Sequence, residues 1–349
     1  MLYEMARAVL FKMDPEDAHA LIMNNIDWAV ALGLTKLVSG PVISDPVKVM
    51  GLTFPNAVGL AAGMDKQAAH VSSIGALGFG HIEVGTLTPA PQPGNPKPRL
   101  WRLIPAQGII NHMGFNNVGV DQGMANLERT GQKYRDKCGI VGVNIGKQNS
   151  TPLENALADY KTCMQAAYGG ADYLAIDISC PNTPGLLDLQ GGDELSVLVR
   201  GIAEERKALE DKHGRYVPIT VKIGPDLLDD AIRSAADVFV KYGMDAVTAT
   251  NTTLSRKGVE NEPKSENVGG LSGLPLFERS TEVVSILNEH LKGELPIIAS
   301  GGVMSAKLAV EKMKAGASLV QIYSGFIYSG PILISEVAQA IQAWRKTQS

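Results

Sequence analysis

The sequence predicts a closed α/β barrel of the (β/α)8 TIM type, preceded by two helices, and two observations support this. Eight short apolar runs rich in β-branched residues recur from residue 57 onward, and helix-period patterns separate most of them. The span from Val58 to Ile322 is close to the ~250 residues typical of such a barrel. An open doubly wound sheet is the alternative, but residues 59–65 (GLAAGMD) do not match the G-x-G-x-x-G fingerprint that usually follows its first strand.

The first predicted elements are two helices, over residues 2–11 and about 15–33, with Asp14 as the cap and Pro15 at the first position of the second. The apolar surface of the second helix is wider than a narrow stripe, and its charges are few. On this pattern alone, the preferred interpretation is an ordinary capping element packed on the main domain. The alternative is an interfacial segment that dips into a membrane surface, although its polar face is not strongly basic.

A Gly-Pro pair marks a boundary, so we predict an N-terminal extension over residues 1–40 and a barrel domain over residues 41–349. Residues 42–54 predict a hairpin that closes the barrel floor. The eight predicted strands cover residues 57–61, 81–85, 140–145, 173–178, 217–223, 246–250, 296–300 and 318–323. Residues 86–118 form an unusually long, Pro-rich connection, and connections of that length are usually functional.

Composition and charge limit the classes of function. Hydrophobic residues make up 45% of the 349 residues and charged residues 19%, which is typical of a globular protein. There are 32 Lys and Arg against 36 Asp and Glu, a net charge of −4, and no long basic run, which argues against a nucleic-acid-binding protein. The three cysteines form no C-x-x-C pair and the histidines show no ligand spacing, so we expect a reducing compartment and no metal site. There is no run of 18 apolar residues and no secretory signal, so we expect no transmembrane helix.

Polar residues follow the predicted strands, at the ends where barrel enzymes carry their active sites. Every strand end contributes at least one of them: Lys66, Thr86, Asn144, Asp177, Lys222, Asn251, Ser300 and Tyr323. Core packing does not explain this pattern, because burying an unpaired amide or charge is costly. Lys222 lies inside an apolar run, so it is either a cation facing an anionic cofactor or substrate, or a snorkelling side chain at a strand end. Lys66 allows the same two interpretations.

Two glycine turns follow the seventh and eighth predicted strands, at residues 300–302 (SGG) and 323–325 (YSG). Loops at these two strands form phosphate sites in such barrels, and glycine lets backbone N–H groups approach an anion. We therefore predict a phosphate site here. The alternative is a pair of tight turns without a ligand.

Cys180 is the candidate base or nucleophile, because it follows a strand and precedes a Gly/Pro-rich stretch over residues 182–192 that resembles a mobile lid. A lone cysteine is more often a small buried hydrophobe, which is the interpretation that we give the other two. Among the six histidines, His112 stands out because it lies in the polar string 111–117.

These motifs together resemble the dihydroorotate dehydrogenases, specifically the membrane-associated, quinone-reducing class 2 branch. The similarity covers essentially the whole chain, including the N-terminal helices. The matching strings, in order, are AAGMDK, EVGTLTPAPQPGNPKPRLWRL, NHMGFNN, VNIGK, SCPNTPGL, VKIGPDL, ATNTTL, GGLSG and GASLVQIYSG. The resemblance implies a flavoprotein oxidoreductase that uses FMN to oxidise (S)-dihydroorotate to orotate, with a quinone as electron acceptor, in de novo pyrimidine (UMP) biosynthesis.

The resemblance also implies three groups of site residues. FMN contacts are expected from Ala62, Gly63, Thr86, Asn144, Asp177, Lys222, Thr250, Gly273, Gly302, Tyr323 and Ser324. Substrate contacts are expected from Lys66, Asn111, His112, Met113, Gly114, Phe115, Asn182, Asn251 and Thr252, with Cys180 as the catalytic base. A quinone tunnel is expected between the N-terminal helices and the flavin, near His19, Arg102 and Tyr323.

With this resemblance, residues 1–40 predict a membrane-surface patch that admits a lipid-soluble acceptor. The expected partners are dihydroorotate and orotate, a quinone, and a membrane that the N-terminal helices contact peripherally, with no nucleic acid and no metal. The expected location is the cytoplasmic face of the inner membrane of a bacterial cell.

Three positions depart from the pattern of the branch: Cys180 replaces Ser, His112 replaces Arg and Asp177 replaces Asn. A cysteine base predicts a different pH dependence, and a neutral His112 removes a permanent cation. An ionised Asp177 would repel an anionic substrate, unless it is protonated or pairs with a cation such as Lys222. These departures motivate an alternative, a flavin-binding relative with weakened dehydrogenase activity that acts as a membrane-surface binding module. A phosphosugar isomerase-type barrel that uses only the phosphate site is a third hypothesis.

Overall fold

Eight parallel strands close into a barrel in the computed structural model, which describes residues 2–183 and 185–348. The strands are β1 (Val47–Val49), β2 (Leu52–Phe54), β3 (Val58–Leu60), β4 (His81–Leu87), β5 (Leu100–Leu103), β6 (Gly108–Asn111), β7 (Ile140–Ile145), β8 (Tyr173–Asp177), β9 (Ile219–Ile223), β10 (Ala246–Ala249), β11 (Gly270–Gly273), β12 (Ile297–Ser300) and β13 (Leu319–Ile322). The helices are α1 (Leu2–Leu10), α2 (Pro15–Ala31), α3 (Val71–Gly75), α4 (Val120–Arg135), α5 (Ala156–Ala167), α6 (Gly192–His213), α7 (Asp229–Lys241), α8 (Phe277–Leu291), α9 (Ala306–Lys314), α10 (Ser324–Ser329) and α11 (Ile332–Lys346). Short 3-10 helices cover Leu34–Leu37, Leu153–Asn155, Leu186–Gln190 and Leu274–Leu276.

The barrel order is β3-β4-β7-β8-β9-β10-β12-β13, and β13 pairs with β3 to close the ring. This confirms the predicted TIM barrel and rules out the open doubly wound sheet. Each predicted strand matches an observed barrel strand to within two residues at either end. The match is close because strands covered by helices outside and side chains inside are apolar on both faces, and therefore stand out as continuous apolar runs.

The N-terminal helices pack on the barrel. The Asp14 carboxylate accepts a hydrogen bond from the backbone N–H of Glu16 at 2.9 Å, and Pro15 opens α2, as predicted. The Tyr3 hydroxyl on α1 donates to the Ile327 carbonyl of α10 at 2.7 Å, which ties the first helix to the short helix after the last barrel strand. Within the described residues, none of the helices is long and apolar enough to cross a membrane.

The predicted hairpin is present at the floor of the barrel as the antiparallel pair β1 and β2. Phe54 at its end is fully buried, and its ring meets His81 edge-on with centroids 5.3 Å apart. Neither ring nitrogen of His81 has a hydrogen-bond partner among the described residues. Burial lowers the pKa of His81 to about 3, so the ring is neutral and acts as a hydrophobic plug.

The connection over residues 86–118 is more ordered than the sequence pattern indicates. It contains β5 and β6, which form an antiparallel sheet with the distant β11. Each of these strands has only four residues, and their pairing partner lies far away in the chain, so neither length nor local alternation reveals them. The sheet holds Asn111 opposite Gly270 and thereby fixes the polar string 111–117 beside the barrel.

Candidate active site

A cavity of about 480 Å³ lies at the carboxyl ends of the barrel strands and is also lined by α1 and α2. Its volume is within the range of about 300–1,000 Å³ that is common for small-molecule sites. Nearly all predicted site residues line it: Ala62, Gly63, Lys66, Thr86, Asn111, Met113, Gly114, Phe115, Asp177, Cys180, Asn182, Lys222, Thr250, Asn251, Thr252, Gly273, Gly302, Tyr323, Ser324, His19 and Arg102. The structure therefore brings the three predicted groups together, and Asn144 and His112 are the exceptions.

Asn144 lies behind the cavity wall rather than in it. Its Oδ1 accepts a hydrogen bond from the Thr86 hydroxyl at 2.6 Å, and its Nδ2 donates to Glu83 at 2.8 Å. Glu83 is fully buried inside the barrel and also accepts from the Tyr173 hydroxyl and Gln321 Nε2, at 3.1 and 2.9 Å. A buried carboxylate with three donors is held in place, so Glu83 fixes the orientation of Asn144 and Gln321.

His112 is not among the residues that line the cavity, and it contacts another predicted site residue, so its role as a substrate contact stays a prediction. Its Nδ1 lies 3.1 Å from Asn182 Oδ1. Asn182 Nδ2 donates to the backbone carbonyl of Asn111 at 3.1 Å. His112 follows directly after β6, and its ring can orient the amide of Asn182, which does line the cavity.

Lys66 brings a cation to the cavity. Its Nζ donates to Asn116 Oδ1 at 2.8 Å. Burial, together with the charge of Arg99, lowers the pKa of Lys66 to about 8, so the ammonium is still mainly charged at neutral pH. Such a cation can offset the carboxylate of an anionic ligand.

Asp177 and Lys222 form a buried pair, one of the two ways in which the sequence reconciles Asp177 with an anionic ligand. Asp177 Oδ2 lies 3.9 Å from Lys222 Nζ. Its Oδ1 accepts from the Ser179 backbone N–H at 3.0 Å and from the Ser179 hydroxyl at 2.8 Å, and Asn251 Nδ2 approaches at 3.4 Å. The carboxylate is therefore surrounded by donors and a cation, which is the arrangement that makes a buried charge tolerable.

Cys180 is buried at the edge of the same group. Burial and the nearby Asp177 carboxylate raise the pKa of the Cys180 thiol to about 12. The thiol is therefore protonated at neutral pH, and only a small thiolate fraction can accept a proton from a substrate. The following stretch is anchored at Gln190, whose Oε1 accepts from the Gly224 backbone N–H at 2.6 Å.

The glycine turns after β12 and β13 expose their backbone N–H groups, so a ligand can approach the backbone closely. Gly302 has a φ of +73°, and a Cβ there would lie 2.4 Å from Phe277 Cα. A Cβ on Gly325 would lie 2.1 Å from the Val303 carbonyl oxygen. Only glycine fits these positions, so the N–H groups of both turns are free of side-chain shielding.

The residues predicted for the quinone tunnel meet on the apolar side of the cavity. Burial and the charge of Lys66 lower the pKa of His19 to about 4, so its ring is neutral. Arg102 donates to the Met13 carbonyl at 3.0 Å and lies over the Phe11 ring, 4.7 Å from its centroid. The apolar side chains of α1 and α2 complete this wall: Ala6, Leu10, Ile22, Met23, Ile26 and Ala29.

Sequence reasoning missed Gln321 and Glu83. Gln321 on β13 lines the cavity, and its buried Oε1 has no partner among the described residues. The signal that singled out Lys222, a polar residue inside an apolar strand, is also present at Gln321 and at Glu83. No group of three or more His, Cys, Asp and Glu side chains in the described part of the chain is arranged to hold a metal ion.

Comparisons with known proteins agree with this geometry. The sequence model of the dihydroorotate dehydrogenase family matches residues 45–344. The dihydroorotate dehydrogenase (quinone) of Teredinibacter turnerae is 54% identical over 342 residues, which cover 98% of this chain and 99% of that protein. The corresponding protein of Pseudomonas syringae pv. tomato is 50% identical over 348 residues, with full coverage of both chains. Ligand-free DHODH from Eimeria tenella superposes with a TM-score of 0.87 at 36% identity and 96% coverage of both chains.

The geometry of the cavity and the similarity to known proteins lead to the same conclusion. Polar strand ends, glycine turns and an apolar passage share one cavity, and relatives at 50% identity or more extend over nearly the whole chain. The chain belongs to the dihydroorotate dehydrogenase family, in its quinone-dependent class 2 branch.

Proposed function

We propose that this protein oxidises dihydroorotate to orotate with FMN as its bound cofactor and a quinone as electron acceptor, in the synthesis of pyrimidines. The observation that carries this proposal is a single cavity that joins a polar, amide-rich end to an apolar passage between α1, α2 and the barrel. A polar substrate and a lipid-soluble acceptor need such different surroundings, and both surroundings here adjoin the same glycine turns.

The residues present fit FMN, in a family that is flavin-dependent. The turns at Gly302 and Gly325 leave room only for backbone, as a phosphate site requires. Gln321 Oε1 is a buried acceptor without a partner among the described residues, and the buried Lys222 lines the same cavity. When bound, FMN supplies the redox chemistry that connects oxidation of dihydroorotate with reduction of quinone.

On the substrate side, Lys66 would hold the carboxylate of dihydroorotate. Asn111, Asn182 and Asn251 would bind its amide edges, because each amide side chain offers both a donor and an acceptor. Cys180 would remove the ring proton as its thiolate while the hydride leaves the neighbouring carbon. The pairing of Asp177 with Lys222 favours an active dehydrogenase over the weakened relative, because Asp177 is already engaged by a cation and three donors.

We also propose that residues 1–40 act as a membrane-docking extension of the barrel domain over residues 41–349. Large apolar side chains on and after these helices are more than half exposed to solvent: Leu2, Met5, Val9, Trp28, Leu32 and Leu37. A lipid surface would cover them and deliver quinone to the apolar passage. The docking would be peripheral, on the cytoplasmic face of the inner membrane.

The test is an anaerobic titration of the purified protein with dihydroorotate, monitored in the visible flavin band. Bleaching of the band is the expected result, followed by its return when a short-chain quinone is added. A flavin band that dihydroorotate leaves unchanged would favour the weakened relative, and a colourless protein that cannot be reconstituted with FMN would overturn the proposal. Binding to liposomes by the full chain, but not by Trp28→Ser and Leu32→Ser, would test the docking extension.

A further inference from the structure

Lys312 is a lysine that the reaction outlined above does not use, and its surroundings are unusual. It lies on α9 and is fully buried. Its Nζ donates to the Ser280 hydroxyl at 2.5 Å and sits 5.2 Å from the centroid of the Phe277 ring. Within the described residues, no carboxylate lies within 4.0 Å of this ammonium. A buried cation without a counter-ion is rare, because its desolvation is not repaid.

Both partners of Lys312 lead to the glycine turn after β12. The Ser280 hydroxyl that receives the Lys312 hydrogen bond also lies 3.0 Å from the Gly301 carbonyl oxygen. Phe277, which packs against the ammonium, is the residue that closes off the Cβ position of Gly302. The Ser280 hydroxyl therefore links the Lys312 ammonium to the backbone of the turn.

We propose that Lys312 is the buried counter-cation of the flavin phosphate site, a positioning residue that acts through Ser280 and the Gly301–Gly302 backbone to make the protein select phosphorylated over unphosphorylated flavin. This inference rests on the proposed use of FMN. Among the described residues the Lys312 amine has a hydroxyl and an aromatic ring as neighbours but no counter-ion, and a dianionic phosphate at the turn would supply one. Lys312 contacts only the elements behind this turn, so we expect its contribution to fall on the phosphate.

Because the Lys312 ammonium is fully buried, solvent screens its attraction to an anion at the turn only weakly. We therefore expect the charge to change the dissociation constant of a phosphorylated ligand by about tenfold or more. Burial lowers the pKa of Lys312 well below its ordinary range, and an anion at the turn favours the charged form. Lys312 is therefore expected to carry its charge, and to stabilise the ligand, mainly when the phosphate is bound.

The experiment compares FMN with riboflavin, which has the same ring system without the phosphate. The full-length chain is freed of flavin and titrated with each compound in phosphate-free buffer, with quenching of flavin fluorescence as the signal. In Lys312→Met, which keeps the length of the side chain but removes its charge, the dissociation constant of FMN should rise about tenfold or more. The dissociation constant of riboflavin should stay within about twofold of the wild-type value.

Two further variants separate a charge effect from a packing effect. Lys147→Met is the matched control, because Lys147 is also buried but lies just after β7, on the opposite side of the barrel. Its Nζ donates to the Gln148 carbonyl at 2.9 Å. It should change both flavin affinities by the same factor. Ser280→Ala should weaken FMN selectively, and it carries the test if Lys312→Met does not fold.

Equal losses of FMN and riboflavin affinity in Lys312→Met and Ser280→Ala would overturn the proposal, and so would a wild-type chain that binds both flavins equally. A wild-type chain that binds neither flavin would instead refute the use of FMN itself. The two failures are therefore distinguishable in the first titration.

Discussion

Asp177 and Lys222 stand opposite each other on the adjacent strands β8 and β9, with Oδ2 and Nζ 3.9 Å apart. Position 177 carries an aspartate where we expect an asparagine from the resemblance of the sequence, and the strand register places Lys222 beside it. The pair has a second consequence for the chemistry, because the same carboxylate raises the pKa of the Cys180 thiol. Asp177 therefore tunes the base as well as the binding pocket.

Replacing Asp177 by Asn should make Cys180 a more readily ionised base. Removing a nearby negative charge favours the thiolate, so the pKa of Cys180 falls from about 12. A fall of about one unit raises the thiolate fraction at pH 8 about tenfold, and the rate of flavin reduction by dihydroorotate should rise with it. Stopped-flow reduction of the flavin under anaerobic conditions, as a function of pH, measures this change.

The matched control for that experiment is Asp177→Asn in a Cys180→Ser background. There the thiol is absent, so the substitution should no longer shift the pH profile of flavin reduction. A profile that shifts equally in both backgrounds would mean that Asp177 acts on the substrate or the flavin and not on the base.

Binding of the product orotate should weaken above pH 8. Burial and Arg99 lower the pKa of Lys66 to about 8, and only the charged ammonium attracts the orotate carboxylate. Because the free protein loses this proton as the pH rises, the dissociation constant of orotate should increase about tenfold per pH unit beyond that point. Isothermal titration calorimetry between pH 6 and 10 provides the measurement.

Lys66→Met should bind orotate about 10- to 100-fold more weakly at pH 7, and its affinity should be nearly independent of pH. Wild-type affinity that stays constant up to pH 9.5 would show that Lys66 remains charged or does not contact the carboxylate.

The barrel could be predicted from the sequence because its strands are continuous apolar runs at regular intervals, and Lys222 was noticeable because it interrupts one of them. The sheet β5-β6-β11 could not be predicted, because its strands have only four residues each and β6 pairs with β11, which lies far away along the chain. The resemblance of the motifs identified which residues line the cavity, but it did not indicate which other side chains they contact. It could not tell that His112 faces Asn182, or that Asn144 rests on Glu83, because those relations depend on which side of a strand or loop each side chain faces.

The ion pair between Glu16 and Arg99 should hold α2 against the barrel. Arg99 Nη2 lies 2.8 Å from Glu16 Oε1 and Nε lies 3.1 Å from Oε2, and Arg99 itself is buried. Glu16→Gln leaves the guanidinium with a weaker partner, which should lower the free energy of unfolding by about 1–2 kcal/mol. Urea denaturation measures the loss, and limited proteolysis around residues 11–14 should become faster.

The pH dependence of this contribution has a defined sign. Burial opposes ionisation of Glu16, but the Arg99 guanidinium outweighs it and holds the pKa of Glu16 below its ordinary range. The stabilisation is therefore complete above the ordinary pKa of a glutamate and is lost as the pH falls below it, so wild type and Glu16→Gln should converge in acid. Lys97→Ala is the control, because exposed Lys97 is 3.6 Å from the same carboxylate and should cost less than about 1 kcal/mol.

Glu83→Gln should disturb both stability and flavin binding from inside the barrel. The Glu83 carboxylate accepts from Asn144, Tyr173 and Gln321, whereas a glutamine there directs an NH2 group at one or more of those donors. An unsatisfied buried donor costs about 1–3 kcal/mol in the free energy of unfolding, and an unanchored Asn144 should weaken FMN binding. Tyr173→Phe removes one donor and leaves the carboxylate, so it should cost less than Glu83→Gln and leave the dissociation constant of FMN unchanged. Thermal denaturation with and without FMN measures both effects, and an equal response of the two variants would mean that Glu83 only fills space.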